Sequence, residues 1–483
     1  MTTMLGRTRR IHFVGIGGIG MSGIAELLAN LGFEVSGSDV RRSEITERLA
    51  ELGVRVAVGH DAAHVGNADV VVTSSAVAAD NPEVADARTR HIPVIPRAEM
   101  LAEFMRLRTG IAIAGAHGKT TTTSMVALML EKAGLDPTAV IGGRLSAFGS
   151  NARLGSSQYM VAEADESDRS FLLLSPTFAV ITNIDHEHME SYGSFAHLVD
   201  AFVEFGNKVP FYGAVIACID DPVVAELLPR LTRRVITYGL SESADVRGEG
   251  ASSDGRVARC MVRTCSAPGR ETAERGELVI GVPGRHNLLN ALAAVAMGRE
   301  LGVPFAQMAD ALRGFHGAER RYQLRGVVSG VTVVDDYGHH PTEIAAVLRT
   351  AREGNPGRVV AAFQPHRYSR TRDLLDEFGP ALGLADVVVL TDIYAASESP
   401  IAGVSLETLA AAVRPHVKEL VLVPSVGDVA AHVAHLSVPG DLVVTLGAGS
   451  IGHVADRVVA LLHQMSTSPI DDDETTVRTG RVS

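Results

Sequence analysis

The residues best equipped for chemistry begin at Gly115-Ala116-His117-Gly118-Lys119-Thr120-Thr121, between a run that reads as a strand and one that reads as a helix. Small residues let backbone N–H groups approach phosphate oxygens, and a helix start adds partial positive charge. Lys119 is then placed to neutralise the terminal phosphates of a nucleoside triphosphate, and the Thr120 hydroxyl to bind magnesium. A standard phosphate loop has its first glycine five residues before the Gly-Lys pair, where Ile113 stands, so Gly115 makes a shorter loop. The competing reading is a glycine-rich helix start with a solvated lysine, which the strand-loop-helix context disfavours. Downstream, Glu163-Ala-Asp165-Glu166-Ser-Asp168 follows one strand and Asn183-Ile-Asp185-His186-Glu187-His188 the next. Strand C-termini of an open parallel sheet gather around one crevice, so these groups are expected to face the phosphate loop. Their hard oxygens suit magnesium. His186 and His188 lack the i, i+4 helical spacing of zinc metalloproteases.

A second glycine-rich loop, Gly15-x-Gly17-Gly18-x-Gly20, also follows a strand, with Asp39 downstream. In isolation this layout favours a dinucleotide and an NAD-dependent dehydrogenase. A lone fingerprint is weak, however, and any pyrophosphate uses the same backbone N–H groups, so UDP fits equally well. The triphosphate machinery tips the choice to UDP, with Asp39 as a ribose or uracil partner or a simple turn residue. Ser74 and Ser75 are further contacts on this reading, or else a helix N-cap.

The elements that must position these groups alternate. Strands are expected at 11–15, 34–38, 54–58 and 70–73, with a helix at 21–31, giving an α/β unit of about 100 residues. A new sheet starts near residue 108, with strands at 110–114, 159–162, 178–182 and 214–218, a helix at 121–132, and polar hairpins over 241–282. After Arg321 the pattern restarts, with strands at 331–334, 358–363, 387–391, 419–423 and 442–446. The fold class is therefore α/β in three domains. These are a Rossmann-like domain at 1–107, a P-loop ATPase-type domain at 108–321 with a mostly parallel sheet and appended hairpins, and a Rossmann-like domain at 322–465. The polar segment 466–483, with its Asp-Asp-Asp-Glu run, is expected to be disordered.

Composition agrees. At 483 residues the chain exceeds one ordinary core, and 46% hydrophobic with 21% charged residues is a globular balance. The 44 basic residues against 56 acidic ones leave a net charge of -12, which disfavours nucleic acid as a partner. Cys218, Cys260 and Cys265 form no CxxC pair, pointing to a reducing compartment. With neither a signal peptide nor a membrane-spanning apolar run to be read, no membrane partner and a cytoplasmic location are expected.

Taken together, these motifs resemble the Mur ligase family over residues 10–460. To those above are added Gly284-Arg-His286-Asn287-Leu-Leu-Asn290, Glu319-Arg-Arg321, Asp335-Asp336-Tyr-Gly-His339-His-Pro341 and Phe363-Gln-Pro-His-Arg367-Tyr-Ser-Arg370. The resemblance implies three domains that bind a UDP-sugar, ATP and an incoming amino acid in that order. It also implies amide-bond formation in bacterial peptidoglycan precursor synthesis through an acyl phosphate. The opening glycine loop and the last two motifs resemble the branch that adds L-alanine to UDP-N-acetylmuramate. A recycling branch that joins a stem tripeptide to the same sugar nucleotide is the competitor.

Carried over residue by residue, Gly115 to Thr121 would cradle ATP. Thr120, Glu163 and His188 would hold magnesium, with manganese as a substitute. His286, Asn287 and Asn290 would contact adenine, and Arg321 and Asp336 the nucleotide. His339, Arg367 and Arg370 would shape the amino-acid site. Apart from the resemblance, His339 reads as a base or a structural hydrogen-bonder, and Arg367 and Arg370, three apart, read as sharing a helical face that forks a carboxylate or as two arginines on a solvated helix. The branch is expected to lack the carbamylated lysine of other members and to work as a monomer or weak homodimer. A nucleotide-binding switch without chemistry would need none of the acid, His and Arg motifs.

Overall fold

The computed structural model describes residues 5–467 apart from 75, 79, 146–149, 266–272, 355–356 and 397. Ser75 and the segment 468–483 therefore lie outside the described residues, while Ser466 and Thr467 close the helix Val454–Thr467. The chain divides into two compact units, Met1–Arg321 and Tyr322–Ser483.

The first unit carries two sheets. The smaller contains β1 (Arg10–Val14), β2 (Glu34–Asp39), β3 (Arg55–Val58), β4 (Val70–Thr73) and β5 (Val94–Pro96) in the order β3-β2-β1-β4-β5. All its neighbours are parallel. Strand order reverses between β1 and β4, and the loop after β1 is the first glycine-rich loop, at the kind of switch point where open α/β sheets bind ligands.

The larger sheet contains β6 (Thr109–Ala114), β7 (Thr138–Leu145), β8 (Ser150–Arg153), β9 (Tyr159–Glu163), β10 (Phe178–Ile181), β11 (Ala214–Cys218), β12 (Val235–Gly239), β13 (Val246–Ser253), β14 (Ala258–Thr264) and β15 (Arg275–Ile280). Its order is β15-β14-β13-β12-β11-β10-β6-β9-β7-β8. The run from β12 to β7 is parallel, whereas β13, β14 and β15 pair antiparallel as appended hairpins. The phosphate loop leaves β6 between β10 and β9, so the ends of all three strands meet at one place.

The second unit is a single sheet of β16 (Gln323–Val328), β17 (Val331–Asp336), β18 (Val359–Phe363), β19 (Val387–Leu390), β20 (Glu419–Leu422) and β21 (Leu442–Leu446), in the order β16-β17-β21-β18-β19-β20. Only β16 runs antiparallel, to β17. Every residue of β11, β18 and β21 is buried, as expected of parallel strands covered on both faces.

Five strands escaped sequence reading. Val94-Ile95-Pro96 is too short to show a period, and β7 is interrupted by Gly142-Gly143. The other three are β8, β12 and β16. The helices Ile19–Asn30 and Lys119–Lys132 each start two residues before the expected position, because both begin directly on a glycine loop. No helix among the described residues is long and apolar enough to cross a membrane.

One buried polar cluster pins the smaller sheet to its helix Pro82–Thr89. Glu83 is fully buried at the start of that helix, where its backbone N–H donates to the Asn81 cap at 2.9 Å. Its carboxylate bonds His12 Nε2 at 2.6 Å, the Ser38 hydroxyl at 2.8 Å and His60 Nδ1 at 2.9 Å. Burial pushes this carboxyl up, but the bonds from His12, Ser38 and His60 outweigh it and hold it below its ordinary value. Removing one member leaves the others desolvated and unpaired. Glu83→Ala is expected to lower stability to urea by about 3 kcal/mol. Because the native carboxyl sits below its unfolded value, its contribution is complete above the ordinary carboxyl range and is lost as pH falls through the native value. The gap between wild type and variant should therefore narrow in acid, and an equal gap at every pH would contradict this reading.

Candidate active site

Gly115 and Gly118 are both required by geometry. Gly115 has φ +141°, and a Cβ there would lie 2.0 Å from the Thr182 hydroxyl; Gly118 has φ +82°, and its Cβ would lie 2.5 Å from Asn290 Oδ1. The loop between them is clamped from the end of β10. The His117 N–H donates to Asn183 Oδ1 at 2.8 Å, Asn183 Nδ2 returns a bond to the His117 carbonyl at 2.9 Å, and the Thr182 hydroxyl donates to the same carbonyl at 2.7 Å. The His117 ring meets Asp185 at 2.9 Å. From the helix Arg285–Glu300, Asn290 accepts from the Thr122 hydroxyl at 3.2 Å, and Asn287 anchors to the Pro283 carbonyl at 2.7 Å. His286 stands one residue into the same helix, half-buried.

Lys119 is the first residue of its helix and folds back over the loop. Its ammonium donates to the Gly115 carbonyl at 2.6 Å, the Ala116 carbonyl at 3.2 Å and Glu166 Oε1 at 2.8 Å. Burial alone would push the ammonium down, but Glu166, Asp165 and Glu187 around it hold it above its ordinary value, so it stays charged. Thr120 and Thr121 follow it on the helix.

The expected metal set is only partly gathered. His188, with φ +60°, has its Nε2 3.9 Å from Glu166 Oε1 and 3.7 Å from Glu187 Oε2, and one ligand atom from each of the three lies within 4.8 Å of the others. Glu163, at the end of β9, stands outside that cluster and lines a cavity of about 240 Å³ with Lys119, Asp165 and Arg97. Among the described residues, the second oxygen of Glu166 is buried without a hydrogen-bond partner. Two carboxylates, one with an orphaned oxygen, beside an imidazole fit a hard divalent cation. Glu166 and Glu187 were present in the quoted motifs, but nothing in their spacing separates them from their acidic neighbours.

At the first loop, Asp39 Oδ2 accepts from the Gly17 N–H at 2.9 Å, so the carboxylate closes the loop itself. Gly15 has φ +76°, and a Cβ on Gly17 would lie 2.8 Å from Asp39 Oδ2. Gly18, Gly20 and Ser74 line a second cavity, of about 150 Å³. Ser74 is no N-cap, because the following helix begins at Pro82 and is capped by Asn81.

In the second unit, Asp336 at the end of β17 accepts from the Tyr322 N–H at 2.6 Å and the Gly338 N–H at 2.7 Å, bracing the turn that carries His339. His339 Nδ1 lies 3.1 Å from the Tyr337 carbonyl; a carbonyl only accepts, so in that bond Nδ1 carries the proton. Arg367 and Arg370 do not share a helical face. Arg367 precedes the helix Tyr368–Asp373 with φ +72°, outside helical backbone, and Arg370 bonds back to His366 at 3.2 Å. Burial, helped by His339, Arg370 and Arg367, depresses the His366 imidazole to about 3, leaving it neutral beside them. Arg321 ends the first unit, its N–H bonded to the Ala318 carbonyl at 3.2 Å.

Gly118→Ala meets both a positive φ and the Asn290 amide, so it is expected to destabilise the protein by about 1 to 3 kcal/mol and to weaken ADP binding about tenfold or more by misplacing loop N–H groups. Calorimetric titration with ADP checks this, and unchanged affinity would show that the loop tolerates a side chain there.

Three family models match in series: "Mur ligase family, catalytic domain" over residues 10–109, "Mur ligase middle domain" over 113–298 and "Mur ligase, glutamate ligase domain" over 320–449. A UDP-N-acetylmuramate–L-alanine ligase of Geobacter sp. (strain M21) is 53% identical over 461 residues, covering 95% of this chain and 99% of that protein. The crystal structure of the UDP-N-acetylmuramate-alanine ligase of Thermotoga maritima superposes with a TM-score of 0.79 at 31% identity, covering 95% of this chain and all of that one. A murein peptide ligase of Psychrobacter arcticus is more distant, with a TM-score of 0.70 at 25% identity over 94% of this chain and 98% of its own. With its sheets, its clamped phosphate loop and these matches along nearly its whole length, this chain belongs to the Mur ligase family.

Proposed function

We infer that the protein is an ATP-dependent ligase that joins L-alanine to UDP-N-acetylmuramate, with ADP and phosphate as the other products. The observation that carries this is the charged lysine on a glycine loop, held beside a cavity that continues towards the first glycine loop. Similarity favours this reading over tripeptide recycling: relatives named for alanine addition are 53% identical, whereas the murein peptide ligase is 25% identical. A dehydrogenase would leave the phosphate loop without a purpose.

We propose the following division of labour. Residues 1–107 hold the UDP-sugar on the Gly15–Gly20 loop, with Asp39 bracing the loop and Ser74 lining the cavity beside it, and with Ser75 a further contact on the sequence reading alone. Residues 108–321 hold ATP, with adenine near His286, Asn287 and Asn290. Residues 322–465 take the amino acid. When the triphosphate enters, Lys119 exchanges Glu166 and its own loop carbonyls for phosphate oxygens and stabilises the charge that builds as the γ-phosphoryl moves to the sugar carboxylate. Phosphorylation supplies the leaving group that a carboxylate lacks. Magnesium, or manganese in its place, would be held by Thr120, Glu163 and His188, with Glu166 and Glu187 adjoining, and would supply further charge neutralisation. Arg321 and Asp336 serve the nucleotide.

In the second unit, His339, with a proton on Nδ1 in its bond to the Tyr337 carbonyl, has Nε2 as the nitrogen to take the proton from the ammonium of alanine. Arg367 and Arg370, reaching from different backbone settings, bind the alanine carboxylate. The proposed working form is a cytoplasmic monomer or weak homodimer.

Incubation with ATP, magnesium, UDP-N-acetylmuramate and alanine should release one phosphate per amide formed, with product mass rising by one alanyl residue. The stem tripeptide in place of alanine should give no product; the opposite preference would overturn the assignment. Lys119→Ala is expected to lower kcat by about 100-fold or more.

A further inference from the structure

We propose that Arg97 grips the diphosphate of the sugar nucleotide and positions the sugar between the two glycine loops. It rests on the ligase reading above and adds a residue that none of the motifs contains. Arg97 begins the helix Arg97–Arg106, directly after β5. It lines both cavities, the one beside Gly18 and Ser74 and the one beside Lys119 and Glu163. Among the described residues lining the first of these it is the only basic side chain, and in the second it is joined only by Lys119. Lys119 is committed to the triphosphate, so the charge of the diphosphate falls to Arg97 and the helix start at Gly18 to Gly20.

The guanidinium lies against that helix start: a Cβ placed on Gly20 would come within 1.8 Å of its Nη1. The missing side chain at Gly20 is therefore what admits the arginine to the place where a diphosphate meets backbone N–H groups. Its fork suits two phosphate oxygens at once. Arg97 pairs with Asp165 at 3.4 Å, while the adjacent Glu166 holds Lys119 at 2.8 Å. Two consecutive carboxylates thus hold the two substrate-binding cations, and each cation changes partner when its phosphate arrives.

The test is calorimetric titration of UDP alone into wild type, Arg97→Gln, Arg97→Lys and Gly20→Ala, with KM measured separately for all three substrates. Loss of one charge-assisted contact should weaken UDP binding about tenfold or more in Arg97→Gln and raise KM for UDP-N-acetylmuramate to match. The KM values for ATP and alanine should stay within about twofold, since they meet other groups. Arg97→Lys should recover part of the loss, having the charge without the fork. Gly20→Ala, which keeps the arginine but displaces it, should show the same UDP-selective defect even if Arg97→Gln fails to fold. Unchanged UDP affinity in these variants, or a parallel rise in all three KM values with a lowered Tm, would overturn the assignment. Wild type that turns over while Arg97→Gln is unimpaired sinks this proposal alone, whereas wild type that forms no amide sinks the ligase reading with it.

Discussion

A largely buried ammonium held by a buried carboxylate, above a loop whose two glycines admit no side chain, is the constraint on which the rest of the site depends. Lys119 and Glu166 meet at 2.8 Å, with side chains 18% and 3% exposed, so neither is stable in that place without the other. A pair of this kind gives little net stability, but it keeps the lysine extended over the phosphate loop and excludes alternative positions. Among the described residues the same carboxylate has its second oxygen without a hydrogen-bond partner and lies beside Glu187 and His188, so the acid that restrains the lysine is also one of the donors that fit a divalent cation. On the proposed function, phosphate and metal are linked through one side chain.

The surrounding fold supplies rigidity at that point. The ends of β6, β9 and β10 converge because their strands are neighbours in the sheet, and each contributes a different group: the loop from β6, the acids after β9, and the Asn183 clamp and His188 after β10. The clamp consists of reciprocal bonds between one amide side chain and one backbone residue, which fixes the orientation of both. In the segment after β9, Phe171 stacks on Phe205 and meets Phe202 edge-on, at centroid separations of 5.0 and 5.3 Å, giving that segment a packed anchor. The smaller sheet is held by a different device, a fully buried Glu83 that joins two strands, a loop and a helix. Both devices use ionisable groups where packing alone would leave the geometry free to slide.

The second unit is built on the same alternation but presents its chemistry from turns. Asp336, His339 and Arg367 all lie where regular structure stops, and Arg367 adopts a backbone conformation unusual for a side-chain-bearing residue. Such positions aim side chains in directions that helices and strands cannot offer. The neutral His366 between His339 and Arg370 keeps that corner free of a further positive charge.

By itself the sequence determined the fold class and most strands, because buried parallel strands are written as unbroken apolar runs such as Val387-Val-Val-Leu390 and need no context to be read. It also determined the phosphate loop and the glycine loop, since glycines at set spacing between a strand and a helix carry their geometry locally. What only the tertiary structure decided is which of several adjacent acids face inward. Asp165 and Glu166 are neighbours in sequence yet meet different cations from different sheets, and no local pattern encodes that. Arg97 was illegible for the same reason: its meaning comes from Gly20, 77 positions earlier, whose missing side chain leaves room for it. Arg367 and Arg370 show the converse, a spacing that suggested one helical face and a backbone that turns the first of them off the helix. Spacing reports what repeats along the chain, whereas a site is made where distant segments meet, and that meeting is set by packing.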